Sequence, residues 1–248
     1  MQITKYNASG NDFVIFHTFL EVDRSELAKK LCDRQQGIGA DGLIVLLPHE
    51  THDFKWQFYN NDGSVASMCG NGTRACAHYA YENGLAPSSM AFLTGAGVIH
   101  SLVEGMSVET ELTAVYECAN PFEANGLKWY FYDTGVPHLV TFVDENSSFD
   151  LEVARQMRHQ FNANVNYARL NEKGLHVRTY ERGVEAETLA CGTGMAASFY
   201  AAYVLGLVNT FVPVYPTSGE QLQLRIENGK LFFKGCVQHV FSTSWVIQ

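Results

Sequence analysis

Two cysteines that lie 122 residues apart open the same short sequence. The first cassette (residues 69–75) begins Cys-Gly-Asn-Gly at Cys69, and the second cassette (residues 191–197) begins Cys-Gly-Thr-Gly at Cys191. With the residues that follow, the two segments share eight identities in seventeen aligned positions. A repeat that places one thiol in each half of the chain predicts a duplicated fold whose two thiols face one cleft. This arrangement suits the removal of a proton from one face of a carbon and its return to the other.

Each cysteine directly precedes glycines and a predicted helix. The first-turn N–H groups of a helix have no intrahelical acceptor, and the helix start carries partial positive charge. A thiol in this position is expected to ionise below the free-cysteine pKa of about 8.5. The glycines would also let a carboxylate approach the backbone N–H groups. One thiolate could then act as base and the opposite thiol as acid, and this scheme requires no cofactor. The sequence also lacks a complete dinucleotide fingerprint and a phosphate-binding loop.

The elements that carry the cassettes follow from composition and turn signals. Ala-rich segments predict helices over 70–82 and 192–205, each followed by a glycine that can end a helix. Two more helices are predicted to start near 23–26 and 149–152, each with an acid or hydroxyl residue available as a cap. Short runs rich in β-branched and aromatic residues predict strands, among them 13–16, 43–47, 128–132 and 231–233.

The predicted fold class is α+β, with two pseudo-symmetric domains. Each domain is expected to be a curved, mostly antiparallel β-sheet or barrel wrapped around a central α-helix. The domains are predicted over 1–114 and 115–237. Pattern alone leaves open whether the last strand, near 238–248, returns to the first domain.

Composition excludes several classes of function. The net charge of −9 argues against a nucleic-acid partner, because phosphate binding needs a basic face. The N-terminus lacks the pattern of a signal peptide, and no apolar run approaches the length of a membrane span. The cytosol is therefore the expected compartment. The six cysteines show no Cys-x-x-Cys spacing, which argues against a zinc site or a disulfide framework.

Other interpretations remain open for individual residues. Cys32, Cys76, Cys118 and Cys236 are expected to be buried small apolar residues. A hydrolase with one cysteine nucleophile could use His138 or His17 as base, but one nucleophile would not explain a repeated cassette. A module that only binds an amino acid would need neither thiol. The Glu181-Arg182 pair could be a surface ion pair, although its position shortly before the second cassette favours a ligand contact, as does that of Asn60 before the first.

The order and spacing of several motifs resemble the diaminopimelate epimerase family. The motifs span nearly the whole chain and are Ser9-Gly10-Asn11-Asp12-Phe13, Gly37-Ile38-Gly39-Ala40-Asp41-Gly42, Asn60-Asn61-Asp62-Gly63-Ser64, the first cassette through Arg74, Pro137-His138, Asn164, Tyr180-Glu181-Arg182-Gly183 and Ala190-Cys191-Gly192-Thr193-Gly194. The resemblance implies a cofactor-independent isomerase that interconverts LL- and meso-2,6-diaminopimelate, a step toward lysine and peptidoglycan precursors.

The resemblance also implies roles for individual residues. Cys69 and Cys191 would be the acid and the base, and His138 and Glu181 would tune the thiols. The implied substrate contacts are Asn11, Asn60, Gly70, Asn71, Asn164, Glu181, Arg182, Gly192 and Thr193. No metal is implied, and the partner is the small-molecule substrate, with no membrane or nucleic acid. The sequence leaves the oligomeric state open, with a homodimer as one arrangement.

Two positions depart from the family pattern. Val136 stands where many relatives have Asn, and Gly42 stands where some have Gln. Both fall in segments that would contact the ligand. A related racemase for another amino acid, such as proline or histidine, is the alternative function. Two asparagines together with Glu181-Arg182 favour a longer substrate with charge at both ends.

Overall fold

The chain forms two compact units in a computed structural model that describes residues 1–144 and 147–246. The first unit comprises the described residues of Met1–Glu111 and Lys234–Gln248, and the second comprises those of Leu112–Phe233. The divisions predicted from the sequence lie at 114/115 and 237/238.

The first unit contains two helices and a series of short strands. Its helices are α1 (Ser25–Cys32) and α2 (Gly70–Glu82), and its strands are β1 (Gln2–Ala8), β2 (Asn11–His17), β3 (Gly42–Leu47), β4 (Phe54–Asn60), β5 (Ser89–Thr94), β6 (Gly97–Glu104), β7 (Ser107–Glu111) and β17 (Gln238–Ser244). Strand β17 pairs antiparallel with β1, which answers the question that the sequence pattern left open. Residues 247 and 248 of the predicted last strand lie outside the described residues.

The second unit has a similar order of elements, with an additional short strand before its second helix. Its helices are α3 (Leu151–Phe161) and α4 (Gly192–Val204), and its strands are β8 (Tyr116–Ala124), β9 (Leu127–Asp133), β10 (Pro137–Phe142), β11 (Asn164–Asn171), β12 (Gly174–Glu181), β13 (Ala186–Thr188), β14 (Phe211–Tyr215) and β15 (Leu222–Glu227), while β16 (Lys230–Cys236) runs across the division between the units.

Most of the neighbouring strands in each unit pair antiparallel. In the first unit β1–β2, β3–β4 and β5–β6 pair antiparallel, whereas β2–β3 and β4–β5 pair parallel. In the second unit β9–β10, β11–β12 and β14–β15 pair antiparallel, whereas β10–β11 and β12–β14 pair parallel. A helix lies between the members of each parallel pair, as a parallel connection requires. The predicted fold class is confirmed.

Helices α2 and α4 are the buried helices of their units. Every residue of α2 from Gly70 to Ala80 is buried, and α4 buries most of Gly194–Ala202. Small alanine side chains allow strands to approach a helix closely. In the first unit Ala75 and Ala80 pack in one apolar cluster with strand residues such as Ile44 and Phe92. The predicted bounds of α2 are confirmed, and α4 ends one residue before the predicted Leu205. Gly84 and Gly206 follow these helices with φ of 65° and 71°, a conformation that favours glycine.

Helices α1 and α3 begin where the sequence analysis placed them, but they are capped differently. Asp150 accepts hydrogen bonds from the backbone N–H groups of Glu152 and Val153, both at 3.0 Å. At α1 the N-cap position is Arg24, whose side chain makes no capping hydrogen bond. The expected side-chain cap of α1 was therefore wrong, because Asp23 bonds Ser25 from one position outside the cap.

Two of the four cysteines expected to be buried are exposed. Cys32 and Cys76 are buried, as expected, whereas Cys118 and Cys236 are exposed. Cys118 lies in β8, whose residues 116–121 are all exposed, and Cys236 is the exposed last residue of β16. Among the residues that the structure describes, no helix is both long and apolar enough to cross a membrane.

Candidate active site

Cys69 occupies the N-cap position of α2. Its backbone is extended, with φ −154° and ψ 116°, and its sulfur accepts a hydrogen bond from the backbone N–H of Gly72 at 3.4 Å. Gly70 is the first residue of the helix. A side chain at Gly72 would lie 3.3 Å from Ile44 Cδ1 and 3.4 Å from Cys69 Cβ, so glycine lets the helix start come close to the sulfur-bearing residue. The sulfur therefore lies beside the positive end of a buried helix.

Asparagine and arginine side chains organise the next residues of the first cassette. The Asn71 amide donates to Asn11 Oδ1 at 2.6 Å, and Arg74 Nη2 donates to Asn71 Oδ1 at 2.8 Å and to Ser9 Oγ at 2.7 Å. Arg74 is completely buried. The structure thus brings together the predicted residues Asn11 and Asn71, and Arg74 holds them in place from inside the unit.

An ion-pair network holds Asn11 from the other side. The Asn11 amide donates to Asp41 Oδ2 at 3.1 Å. Arg34 donates to both carboxylate oxygens of Asp12, at 3.0 and 2.8 Å, and to Asp41 at 2.8 Å. Lys5 lies 3.0 Å from Asp12. Burial alone would raise the pKa of Asp12, but hydrogen bonds from Arg34 and Lys5 outweigh burial and lower that pKa to about 2.

Asn60 is held in a separate turn of the first unit. Its amide donates to Ser64 Oγ at 2.9 Å, and its backbone N–H donates to the carbonyl of Ser64 at 2.8 Å. The neighbouring Asn61 N–H donates to the carbonyl of Asp41 at 3.0 Å, which connects this turn to the network that holds Asn11. Gly42 pairs with Asn60 across β3 and β4. A side chain at Gly42 would lie 2.6 Å from Phe58 Cε2 and 2.8 Å from the Tyr59 carbonyl, so this packing has no room for the glutamine of some relatives.

Cys191 repeats the position of Cys69 but has a different neighbour. It is the N-cap residue of α4, with φ −124° and ψ 104°, and Gly192 begins the helix. Its sulfur lies 3.6 Å from Thr193 Oγ1. Thr193 Oγ1 lies 2.9 Å from His138 Nε2, and the Thr193 carbonyl accepts from Thr134 Oγ1 at 3.1 Å. A side-chain hydroxyl therefore stands next to the second sulfur, where the first has a backbone N–H.

His138 is fully buried in β10. Burial, and secondly the positive charge of Arg182, lowers the pKa of His138 to about 3, so the imidazole is neutral at physiological pH. His138 Nε2 contacts the Thr193 hydroxyl, which lies next to the Cys191 sulfur, so this hydroxyl gives the imidazole a path to the sulfur. For Glu181, which is half-buried at the end of β12, burial raises the pKa, and the Thr188 hydroxyl offsets part of this rise.

Asn164 connects His138 to Arg182. Asn164 Oδ1 accepts from the backbone N–H of Arg182 at 2.7 Å, while its amide nitrogen lies 3.4 Å from His138 Nε2. Arg182 Nη1 donates to the carbonyl of Asn162 at 3.0 Å. The structure therefore gathers the predicted residues His138, Asn164, Arg182 and Thr193 into one group. Val136, which replaces the asparagine of many relatives, accepts from the Thr134 N–H through its backbone carbonyl at 3.1 Å.

Sequence reasoning missed Asn166. This residue is completely buried, and its amide lies between His138 Nδ1 at 3.1 Å and the Leu139 carbonyl at 2.9 Å. A side chain at Gly194 would overlap Asn166 Oδ1, so the glycine of the second cassette makes room for this amide. The signal was present in the sequence, because Asn164 and Asn166 are two residues apart in a strand and so point to the same face.

Within residues 1–144 and 147–246, no three His, Cys, Asp or Glu residues cluster closely enough to hold a metal ion.

The whole fold is shared with solved proteins of low sequence identity. A PhzF-family phenazine biosynthesis protein from Bacillus anthracis is 17% identical, with a TM-score of 0.74 over 100% of this chain and 99% of that one. A probable proline racemase from Agrobacterium radiobacter K84, solved with bound carbonate, is 12% identical, with a TM-score of 0.75 over 100% of this chain and 93% of that one. The chain therefore shares its fold with these two proteins.

Sequence comparison identifies the family of the chain. The sequence model described as "Diaminopimelate epimerase" matches residues 3–115 and 130–240. The diaminopimelate epimerase of a Nitratiruptor species is 61% identical over 98% of each chain. The chain belongs to the diaminopimelate epimerase family and is therefore an isomerase of a family that acts in lysine biosynthesis. The resemblance inferred from the motifs is confirmed.

Proposed function

We propose that this chain interconverts LL- and meso-2,6-diaminopimelate, with Cys69 and Cys191 as the paired acid and base. The carrying observation is that each unit presents a cysteine at the start of its buried helix, on extended backbone, with a hydrogen-bond donor beside the sulfur. A thiolate is stabilised in this environment. Either sulfur can then remove the α-proton while the other supplies a proton to the opposite face, and the two exchange roles in the reverse direction.

The reacting carboxylate is proposed to bind at the helix starts. Gly70 with Asn71, and Gly192 with Thr193, provide first-turn backbone N–H groups. These donors, with the helix dipoles, favour the negative charge that develops on the carboxylate when the α-proton leaves. Because the stabilisation comes from fixed protein dipoles, the proposed mechanism uses no cofactor.

The far end of the substrate is proposed to be recognised by side chains outside the cassettes. Arg182 can bind the distal carboxylate, and the backbone of Arg182 is fixed by Asn164. Glu181, Asn11 and Asn60 complete the proposed contacts to the distal ammonium and carboxylate. Binding energy from this non-reacting end would place the α-carbon accurately for proton transfer.

The cellular setting follows from the proposed reaction. The substrate is a small cytosolic amino acid, and the product serves lysine and peptidoglycan precursor synthesis. We therefore propose that the enzyme acts in the cytoplasm and has no membrane or nucleic-acid partner. We also propose that it assembles as a homodimer. The net charge of −9 supports the exclusion of nucleic acid.

Incubation of the reduced protein with LL-diaminopimelate in heavy water tests the function. The expected result is meso product with deuterium at the inverted carbon. Cys69→Ala and Cys191→Ala should each slow product formation by about 100- to 10,000-fold, because each direction needs both an acid and a base. Cys118→Ala, at an exposed position outside the site, is the matched control and should keep the normal rate.

Two outcomes would contradict the proposal. Absence of deuterium exchange in folded, reduced protein would refute the function. Faster exchange with proline or histidine than with diaminopimelate would instead favour a racemase for another amino acid.

A further inference from the structure

The imidazole of His138 has a hydrogen-bonding neighbour at each ring nitrogen. Nδ1 lies 3.1 Å from the amide nitrogen of Asn166, and Nε2 lies 2.9 Å from Thr193 Oγ1. Since a neutral imidazole carries its hydrogen on only one nitrogen, these neighbours determine which nitrogen holds it.

The orientation of the Asn166 amide is fixed by its other contacts. The Leu139 carbonyl, 2.9 Å from the amide nitrogen, can only accept a hydrogen bond. The Thr179 hydroxyl donates to the amide oxygen at 2.8 Å. The amide nitrogen of Asn166 must therefore face both the Leu139 carbonyl and His138 Nδ1. A nitrogen that faces an N–H donor accepts, so Nδ1 is unprotonated and the hydrogen resides on Nε2.

The hydrogen on Nε2 has one suitable acceptor among these neighbours. Asn164 also lies near Nε2, but its oxygen accepts from the Arg182 N–H, so it presents its amide nitrogen, which cannot accept. That amide nitrogen has a second acceptor, the Pro137 carbonyl at 3.5 Å, so it does not need Nε2. Its contact with Nε2, at 3.4 Å, is also longer than the 3.1 Å contact between the Asn166 amide and Nδ1. Thr193 Oγ1 is left as the acceptor of the Nε2 hydrogen. The hydroxyl hydrogen of Thr193 then points away from His138 and can be donated to Cys191 Sγ, 3.6 Å away.

We propose that Asn166 is a positioning residue that fixes the His138 tautomer, so that the Thr193 hydroxyl donates its hydrogen bond to the Cys191 thiolate. In the opposite tautomer, Nε2 would accept the Thr193 hydrogen and draw it away from the sulfur. Asn166 thus decides which neighbour receives the hydroxyl hydrogen. The role of Asn166 in catalysis rests on the function proposed above. The direction of the hydrogen bonds from Asn166 through His138 and Thr193 to Cys191 does not.

The burial of this group supports the proposal. His138 and Asn166 are both 0% exposed, so water does not compete for their ring and amide atoms. The low pKa of His138, caused first by burial, keeps the ring neutral across physiological pH, so its hydrogen-bond partners alone choose between the two neutral tautomers. Gly194 contributes as well, because a side chain there would displace the Asn166 oxygen.

The first cassette is arranged differently. The position that corresponds to Thr193 is Asn71, whose amide is engaged with Asn11 and Arg74, and Cys69 Sγ accepts from the Gly72 backbone instead. The proposed device therefore acts on one thiol of the two.

Nitrogen-15 NMR of the histidine rings tests the tautomer directly. In the unaltered protein, His138, assigned by comparison with His138→Gln, should carry its hydrogen on Nε2 throughout pH 5–8. Asn166→Asp, which presents a carboxylate to Nδ1, should move a hydrogen onto Nδ1. A protonated Nδ1 in the unaltered protein, or an unchanged tautomer in folded Asn166→Asp, would overturn the proposal.

The ionisation of Cys191 is the second readout, and it remains informative if Asn166→Asp fails to fold. Alkylation of Cys191 is followed against pH by peptide mass mapping in a Cys69→Ala background. Thr193→Val should raise the apparent pKa of Cys191 by about one unit, roughly tenfold less thiolate at neutral pH. Thr193→Ser, which keeps the hydroxyl, should restore the profile. Equal profiles for the Val and Ser variants would refute the hydrogen bond to sulfur.

These measurements use no diaminopimelate, so they separate the two proposals. If the heavy-water assay fails while the tautomer and the alkylation profile behave as described, the hydrogen-bond order stands and the proposed substrate is wrong. If the assay succeeds while Thr193→Val leaves the Cys191 profile unchanged, the two-thiol function stands and the role of Asn166 is wrong.

Discussion

Gly194→Ala should destabilise the second unit by disturbing one buried amide. The added Cβ would overlap Asn166 Oδ1 and lie 3.1 Å from Thr179 Oγ1. Asn166 is bonded to Thr179, Leu139 and His138, so its amide cannot withdraw without breaking a buried hydrogen bond. The perturbation therefore acts on a rigid, fully enclosed polar group.

The expected loss follows from two opposing contributions. Overpacking a buried site costs about 1–3 kcal/mol. Replacing glycine by alanine in a helix returns up to about 1 kcal/mol. The net change in the free energy of unfolding should be a loss of up to about 3 kcal/mol, centred near 1–2 kcal/mol. Gly192→Ala is the matched control, because its Cβ would make an ordinary contact with Phe233 Cε1 at 3.4 Å.

Urea unfolding measures this difference. Trp129 is fully buried in the second unit, and its fluorescence reports the loss of that core. The midpoint of Gly194→Ala should fall clearly below that of Gly192→Ala, with the slope unchanged. Equal midpoints for the two variants would show that Asn166 can move freely and would refute the reasoning.

Three further predictions concern other parts of the chain. Asp12→Asn should flatten the dependence of stability on pH. A carboxyl whose folded pKa is about 2 contributes stability above pH 3.8, and this stability is lost as the pH falls toward 2. Urea midpoints measured across this pH range check the prediction, and a pH dependence equal to that of the unaltered protein would contradict it. Asp150→Ala should lower the free energy of unfolding by about 1 kcal/mol through loss of the α3 cap, measured by urea denaturation. Asp23→Ala should have a smaller effect, because Asp23 lies outside the N-cap position of α1 and bonds Ser25 there. Arg182→Lys should raise the KM for diaminopimelate about tenfold or more, because it removes a bidentate donor. Arg178→Lys is the control and should leave KM unchanged, because Arg178 lies on the preceding strand and pairs with Glu187. An equal effect of both substitutions would argue against a specific role for Arg182.

The fold could be predicted because local signals and the internal repeat agree. The Ala-rich segments after Cys69 and Cys191 indicated the two central helices, and their terminal glycines indicated the stops. The exposure of Cys118 and Cys236 could not be predicted from composition, because β8 is exposed on both faces around Cys118 and Cys236 is the last residue of its strand. The same holds for Arg24, where the cap of α1 depends on a local backbone path that composition does not encode.

The candidate site was only partly accessible from the sequence. Motif order indicated the cysteines and the residues that resemble family contacts, but it did not reveal the hydrogen bonds that hold them. Arg74 and Asn166 are buried supports, and their roles depend on contacts between residues distant in the chain. The spacing of Asn164 and Asn166 on one strand face was the available signal, since two buried amides on one face need partners.

The hydrogen-bond donors beside the two sulfurs also differ in how easily a mutation can remove them. The donor at Cys69 belongs to the main chain of Gly72, which every amino acid except proline retains. The donor that we propose at Cys191 belongs to the side chain of Thr193, which a single codon change can remove or replace. Laboratory evolution of this enzyme toward a different working pH should therefore alter the second cassette first, while the first keeps its sulfur environment.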